Sequence, residues 1–259
     1  MTNLKLVIVA VIAVATACQI CSVHASFSDS TYFYWGADRA YVTGTDSVVL
    51  KLLQSGGSGL TSKVSYMYGS ISMQIKLVAG NSAGTVTTFY LSSSGPGHDE
   101  IDFEFLGNVS GQPYTIHTNI FTNGTGQREQ QFKAWFDPAD GFHNYTIQWT
   151  PYSVVWLVDS VPIRVFRNHH DTQINFPDSQ PMKAYASLWN ADDWATQGGR
   201  IKTDWSLAPF VANFQTYNPN ACFCPDPSAV WHCSSYNSAN WWTDSSKYYQ
   251  LTETQYYQM

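Results

Sequence analysis

Hydrophobic and polar positions alternate along most of this chain, and the repeat is two residues. A strand sends successive side chains to opposite faces, so this period predicts strands with one face in a core. The clearest run is 48–53; 65–77 alternates in part, and 85–91 is β-branched and aromatic. Residues 98–108 alternate acid and apolar residue before stopping at Gly107-Asn108. Further short strands are predicted at 114–121, 130–136, 144–149, 154–158 and 163–167, with turns at Asn123-Gly124, Asp137-Pro138, Thr150-Pro151 and Asp159-Ser160. Residues 32–53 read as short strands broken by Gly36, Gly44 and Asp46, and Gly56-Gly57-Ser58-Gly59 reads as a loop. No helical period of any length competes. The pattern predicts an all-β sandwich whose connectivity it does not reveal.

From about Asp204 the texture changes. Pro209, Pro219, Pro225 and Pro227, the cysteines Cys222, Cys224 and Cys233, and an aromatic tail to Met259 predict a separate extension packed on the sandwich. The expected organisation is a sandwich over 26–203 and a C-terminal extension over 204–259. At the other end, Lys5 precedes the apolar run 6–15 and the small residues near Ala25, which predicts a secretory signal over 1–25. That run is shorter than the ~20 residues needed to span a bilayer, which argues against an anchor. A secreted, soluble protein without a membrane partner is expected. Cys18 and Cys21 would leave with the signal, and Cys233 is expected to pair with Cys222 or Cys224.

Composition narrows the partner. The chain has 259 residues, of which 15% are aromatic and only 12% charged, with a net charge of −6. A weakly charged surface rich in rings suits a neutral sugar, and the negative balance argues against nucleic acid.

The acidic run carries the chemistry. Period two puts Glu100, Asp102 and Glu104 on one face and Ile101, Phe103 and Phe105 on the other. Like charges about 6.5–7 Å apart along a strand repel and gain nothing for folding. Retaining glycoside cleavage needs two carboxyls about 5–5.5 Å apart, one as nucleophile and one as acid then base. Glu100 and Glu104 start ~13 Å apart on an ideal strand, so the strand must curve and the side chains lean inward. Asp102 between them can hydrogen-bond one and raise a neighbour's proton affinity. A solvated acidic face is the bland alternative; chelation by His98, Asp99 and Glu100 is poorer, since adjacent residues point to opposite faces. No metal and no cofactor is expected.

His98 to Asn108 resembles the active-site signature of the xyloglucan endotransglucosylase/hydrolases of plant cell walls, in glycoside hydrolase family 16. Residues 73–84, the run Gln127-Arg128-Glu129-Gln130, residues 161–166 and residues 187–196 resemble the same family's pattern. The resemblance implies a jelly-roll β-sandwich with an open substrate cleft, Glu100 as nucleophile, Glu104 as general acid/base and Asp102 as the residue that orients Glu100. It implies xyloglucan, polymer or oligosaccharide, as partner, and a monomer in the cell wall and apoplast. The substrate-binding set it suggests is His117, Asn119, Arg128, Glu129, Trp189, Asn190, Asp192, Asp193, Trp194, Gly198 and Gly199. His117 and Asn119 share a strand face, and the two tryptophans suit stacking on sugar rings.

Asn108-Val109-Ser110, Asn123-Gly124-Thr125 and Asn144-Tyr145-Thr146 are glycosylation sequons, and the resemblance favours Asn108, beside the cleft. The short loop 122–127 resembles the members that transfer rather than hydrolyse. The expected activity is therefore cleavage of the β-1,4-glucan backbone with retention, followed by transfer to a xyloglucan acceptor. A hydrolase of xyloglucan or mixed-linkage glucan, and a non-catalytic glucan-binding sandwich, are the alternatives. The chain stops at Met259 where the family continues, which predicts a truncated extension.

Overall fold

A computed structural model of the protein describes residues 26–169, 172–237 and 239–259. The secretory signal expected over 1–25 lies outside the described residues. In chain order the strands are β1 (Thr31–Trp35), β2 (Ala40–Thr43), β3 (Ser47–Leu52), β4 (Ser58–Ser62), β5 (Tyr66–Lys76), β6 (Thr85–Ser92), β7 (Glu100–Leu106), β8 (Thr115–Phe121), β9 (Gln130–Phe132), β10 (His143–Trp149), β11 (Ser153–Val158), β12 (Val161–Arg167), β13 (Lys183–Asn190) and β14 (Phe210–Phe223). They form two antiparallel sheets, ordered β1-β4-β13-β6-β7-β8-β9 and β12-β11-β10-β5-β14-β3-β2. This is the all-β sandwich expected from the alternation, in the jelly-roll form that the resemblance implies.

The core lies between the sheets and follows from strand parity. Ile101, Phe103 and Phe105 of β7 are fully buried and meet Tyr145 of the facing sheet, with ring centroids 5.7 Å apart for Phe103 and 4.6 Å for Phe105. On β5, Met67, Ile71, Met73 and Ile75 point inward, while Ser70, Ser72, Gln74 and Lys76 alternate outward. Each buried aromatic or branched side chain contributes about 1.5–3 kcal/mol through the apolar area it removes from water. The one-residue parity of β7 therefore holds the acids on the opposite face.

Several expectations need correction. The expected loop at 56–59 is in part strand, because β4 begins at Ser58. Its glycines are there for close approach: a Cβ on Gly59 would overlap the Trp35 indole nitrogen, and one on Gly57 would overlap the Leu188 carbonyl. The strand expected over 130–136 ends at Phe132, and Phe136 leaves the sheet to stack on His143 at 3.5 Å between centroids.

The boundary expected at 203/204 is also corrected. β14 lies between β3 and β5, so the sandwich takes in residues as far as Phe223. Prolines and cysteines disguised this strand. Residues 210–212 pair with β3 alone, 213–215 pair on both sides and 218–223 pair with β5 alone, so Pro219 donates nothing the ladder needs on its other side.

A disulfide joins Cys222, near the end of β14, to Cys233, eleven residues on, and Cys224 is a buried free thiol whose Sγ lies 3.4 Å from the Asp226 carbonyl. Of the two pairings left open, the Cys222 one forms. Closing a loop of this length removes unfolded-state entropy worth about 3 kcal/mol. Cys233→Ala should therefore lower the free energy of unfolding by about 2–3 kcal/mol, read as a lower urea midpoint, whereas Cys224→Ser should move that midpoint much less. Equal shifts would refute the pairing.

Candidate active site

The site is built on β7 and its two neighbours. Across β6, Glu100 pairs with Ser92, Asp102 with Tyr90 and Glu104 with Thr88; across β8, they pair with Phe121, Asn119 and His117. Cross-strand partners share a face, so this register places Thr88, Tyr90, His117 and Asn119 beside the acids. One sheet position further, Ser187 of β13 pairs with Thr88, and its hydroxyl lies 2.6 Å from the Thr88 hydroxyl. The result is a cleft of about 560 Å³ lined by Tyr34, Trp35, Thr88, Tyr90, Glu100, Asp102, Glu104, Ser187 and Trp189. A larger hollow of about 660 Å³ lies between the C-terminal segments and β10 to β12, but no carboxylate lines it, so volume alone does not mark the site.

The three carboxyls sit in different environments. Asp102 is 6% exposed, and its proton affinity is raised well above the carboxylate range, first by burial and then by the charges of Glu100 and Glu104. It hydrogen-bonds Glu100, and when Asp102 carries its proton it is the donor. Glu104 is pushed from an ordinary 4.5 to about 7, by burial first and then by Glu100 and Glu129. A carboxyl that titrates near 7 holds a proton to give at mildly acidic pH and can take one back. An acid that keeps its proton toward neutral pH, in the same cleft as a second carboxyl that can act as nucleophile, is what two-carboxyl catalysis requires.

Two histidines flank them. His98 stacks on Phe121 at 5.3 Å and brings Nε2 to 3.9 Å from Glu100 Oε2. His117 Nδ1 lies 3.5 Å from Glu104 Oε2, yet neither ring nitrogen is hydrogen-bonded. Burial lowers the pKa of His117, which disfavours the charged ring and an ion pair at this contact.

The expected substrate-binding residues separate into three groups. Trp189 lines the cleft, and Trp194 lies 6.2 Å from it, edge-on to His117 at 6.0 Å. Asn119, Arg128 and Glu129 form a patch beside β8. Asn119 donates to Glu129 Oε1, Asn119 Oδ1 accepts the Arg128 backbone N–H, and the Arg128 guanidinium donates to the carbonyls of Ile120 and Thr125. Arg128 thus holds a turn, and it does not line the cleft.

The third group builds the loop after β13. Asn190 donates to Thr203 Oγ1 and the Gly84 carbonyl, and Asp192 Oδ1 accepts from the Thr203 N–H and hydroxyl. Gly198 and Gly199 take φ of +68° and +82°, and a Cβ on Gly199 would strike the Asp193 carbonyl. These residues, with exposed Asp193, shape the segment that carries Trp194 and do not line the cleft.

Sequence reasoning missed Tyr34, Trp35, Thr88, Tyr90 and Ser187. Tyr90 stacks on Tyr185 at 5.0 Å, and Tyr185 meets Tyr34 edge-on at 5.5 Å, which makes an aromatic wall. Thr88 and Tyr90 share parity within the run 85–91, but only pairing with β7 shows that their face is that of the acids. Asn108 lies past the end of β7 and lines a separate hollow with Val78, Tyr114 and Phe136 that shares no residue with the cleft. Among the described residues no group of three or more His, Cys, Asp or Glu side chains is arranged to hold a metal ion.

The profile of Glycosyl hydrolases family 16 matches residues 27–207. The Arabidopsis thaliana "Probable xyloglucan endotransglucosylase/hydrolase protein 23" is 54% identical over 213 residues, which are 82% of this chain and 74% of that one. The Glycine max "Xyloglucan endotransglucosylase/hydrolase 2" is 56% identical over 207 residues, 80% of this chain and 72% of that one. Among solved structures, a Bacillus licheniformis beta-glucanase superposes with a TM-score of 0.58 at 26% identity, over 75% of this chain and 88% of that one.

Proposed function

The chain belongs to glycosyl hydrolases family 16, and from that premise we propose that it cleaves the β-1,4-glucan backbone of xyloglucan with retention and transfers the fragment to a xyloglucan acceptor. The observation that carries this reading is one cleft in which Glu104 titrates near 7 while Asp102 hydrogen-bonds Glu100. The names of its relatives supply the substrate.

In the first step the Glu100 carboxylate attacks the anomeric carbon, the glycosidic bond breaks, and Glu104 gives its proton to the departing oxygen. Asp102 holds Glu100 in line. In the second step an acceptor hydroxyl loses its proton to Glu104 and its oxygen displaces Glu100 from the anomeric carbon, which restores both carboxyls. A bound acceptor outcompetes water because its hydroxyl is held at high effective concentration. Trp189, with Trp194 behind it, offers the stacking face for a glucan ring. The Thr122–Thr125 turn is tight, with Asn123 and Gly124 both at positive φ, and this is the short loop that goes with transfer.

No helix of the described residues is long and apolar enough to cross a membrane. The protein acts as a secreted, N-glycosylated monomer in the plant cell wall and apoplast, without nucleic acid as partner. Incubation with xyloglucan and a labelled xyloglucan oligosaccharide tests the activity. Label should enter polymer without new reducing ends. New ends without incorporation would assign hydrolysis, and binding with neither would assign a glucan-binding module.

A further inference from the structure

Arg164 takes no part in the chemistry above, yet it is 4% exposed and lies between the sheets behind the acids. It belongs to β12, in the sheet opposite β7. Its side chain crosses the interior: Nη1 donates to the Thr118 carbonyl at 2.9 Å and hydroxyl at 2.8 Å, and Nη2 donates to the Arg128 carbonyl at 2.6 Å. The guanidinium lies over Trp156, 4.6 Å from the ring centroid, and Trp156 Nε1 donates to the Asp102 carbonyl at 2.9 Å. β7 and β8 are thus tied from below at adjoining points, Asp102 and Thr118. A buried guanidinium without an ion-paired carboxylate is costly unless its charge and donors serve the structure around it, and no carboxylate of the described residues ion-pairs with Arg164.

We propose that Arg164 is a positioning residue for the carboxylate set: it clamps β8 to β12 and places a fixed positive charge beneath Asp102, so that a strand face bearing three acids keeps one geometry. This rests on the function proposed above. The charges facing Arg164 agree with it. Asp102 on β7 and Glu129 beside β8 attract the guanidinium and Arg128 opposes it, Glu100 and Glu104 act on Asp102, and burial lowers the pKa of His117 on β8. Arg164 draws Asp102 down against burial and its acidic neighbours. Burial lowers Arg164 itself to about 10, so it stays charged wherever the acids work.

Removing a positive charge raises the pKa of the carboxyl it draws down, Asp102. In Arg164→Met, kcat for transfer should fall about 10-fold to 100-fold through misplacement, with KM changed less than about threefold. The Asp102 carboxyl should hold its proton to higher pH than in the wild type, read by NMR titration. Arg164→Lys keeps the charge and loses the forked clamp, so the Asp102 titration should return toward its wild-type position while kcat stays below wild type at unchanged KM. A folded Met variant with an unmoved Asp102 titration overturns the proposal, as does a Lys variant that shares the Met variant's shift. If Met does not fold, Lys decides: reduced kcat at wild-type KM supports the role, and wild-type kcat or failure to fold assigns Arg164 to stability alone. A wild-type protein inactive on xyloglucan would instead refute the function reading.

Discussion

Glu100→Ala is expected to abolish transfer and hydrolysis together, by on the order of 10³-fold or more, since both run through the same covalent intermediate. The fold should survive. The Glu100 side chain is 21% exposed at the cleft and belongs to no core cluster, so its loss opens no cavity between the sheets. Its removal also takes a negative charge away from Glu104 and Asp102, whose proton affinities it raises. The variant's Glu104 should therefore titrate below about 7. Turnover that persists in a folded Glu100→Ala protein would sink the assignment of nucleophile. Loss of activity with unchanged circular dichroism and a downshifted carboxyl titration would support it.

The second large effect concerns Glu104. Its raised pKa makes it protonated below about pH 7 and ionised above, so the activity should decline as pH rises through about 7. Glu104→Gln should lose cleavage and gain stability. In the folded state Glu104 keeps its proton up to about 7, whereas in the unfolded chain it ionises near its ordinary 4.5. Wild-type stability from this group is therefore highest at low pH and falls as pH rises across that window, by about 3 kcal/mol once complete. Glutamine escapes that loss. At pH 8 the variant should unfold about 3 kcal/mol harder than wild type, and at pH 4 about equally. Denaturant curves at the two pH values decide it: a variant no more stable at pH 8 would show that Glu104 ionises near its ordinary value, which would remove the acid/base argument.

How much was legible in advance depended on the range of the interaction. The face carrying Glu100, Asp102 and Glu104 followed from parity, which two neighbouring residues settle. The strands at 66–76 and 143–149 were readable for the same reason, because their inward positions are apolar on one face. The strand Phe210–Phe223 was not. Its Pro219 and Cys222 are local signals against a strand, and they are overridden by pairing with β5, more than 130 residues earlier. Gly57 and Gly59 likewise read as a flexible loop until Trp35 and Leu188 are seen pressed against them.

Candidate binding residues divided along the same line. Trp189 was visible as an aromatic residue among polar ones. Asn190 and Asp192 looked equally suited to sugar hydroxyls, but Thr203 and Gly84 take their polar atoms. Arg164 stood out only as part of the run 161–166, since a single arginine in an apolar strand gives no hint of which distant carbonyls it will meet.

By itself the sequence determined that the protein is all β, that its acids share one strand face, and which chemistry they suit, because period two and residue type are local properties. The tertiary structure alone decided that burial separates the proton affinities of those acids, that β14 closes the second sheet, and that an aromatic wall from β1, β6 and β13 faces the acids. Desolvation and cross-strand register arise from residues far apart in the chain, and neither exists until the two sheets pack.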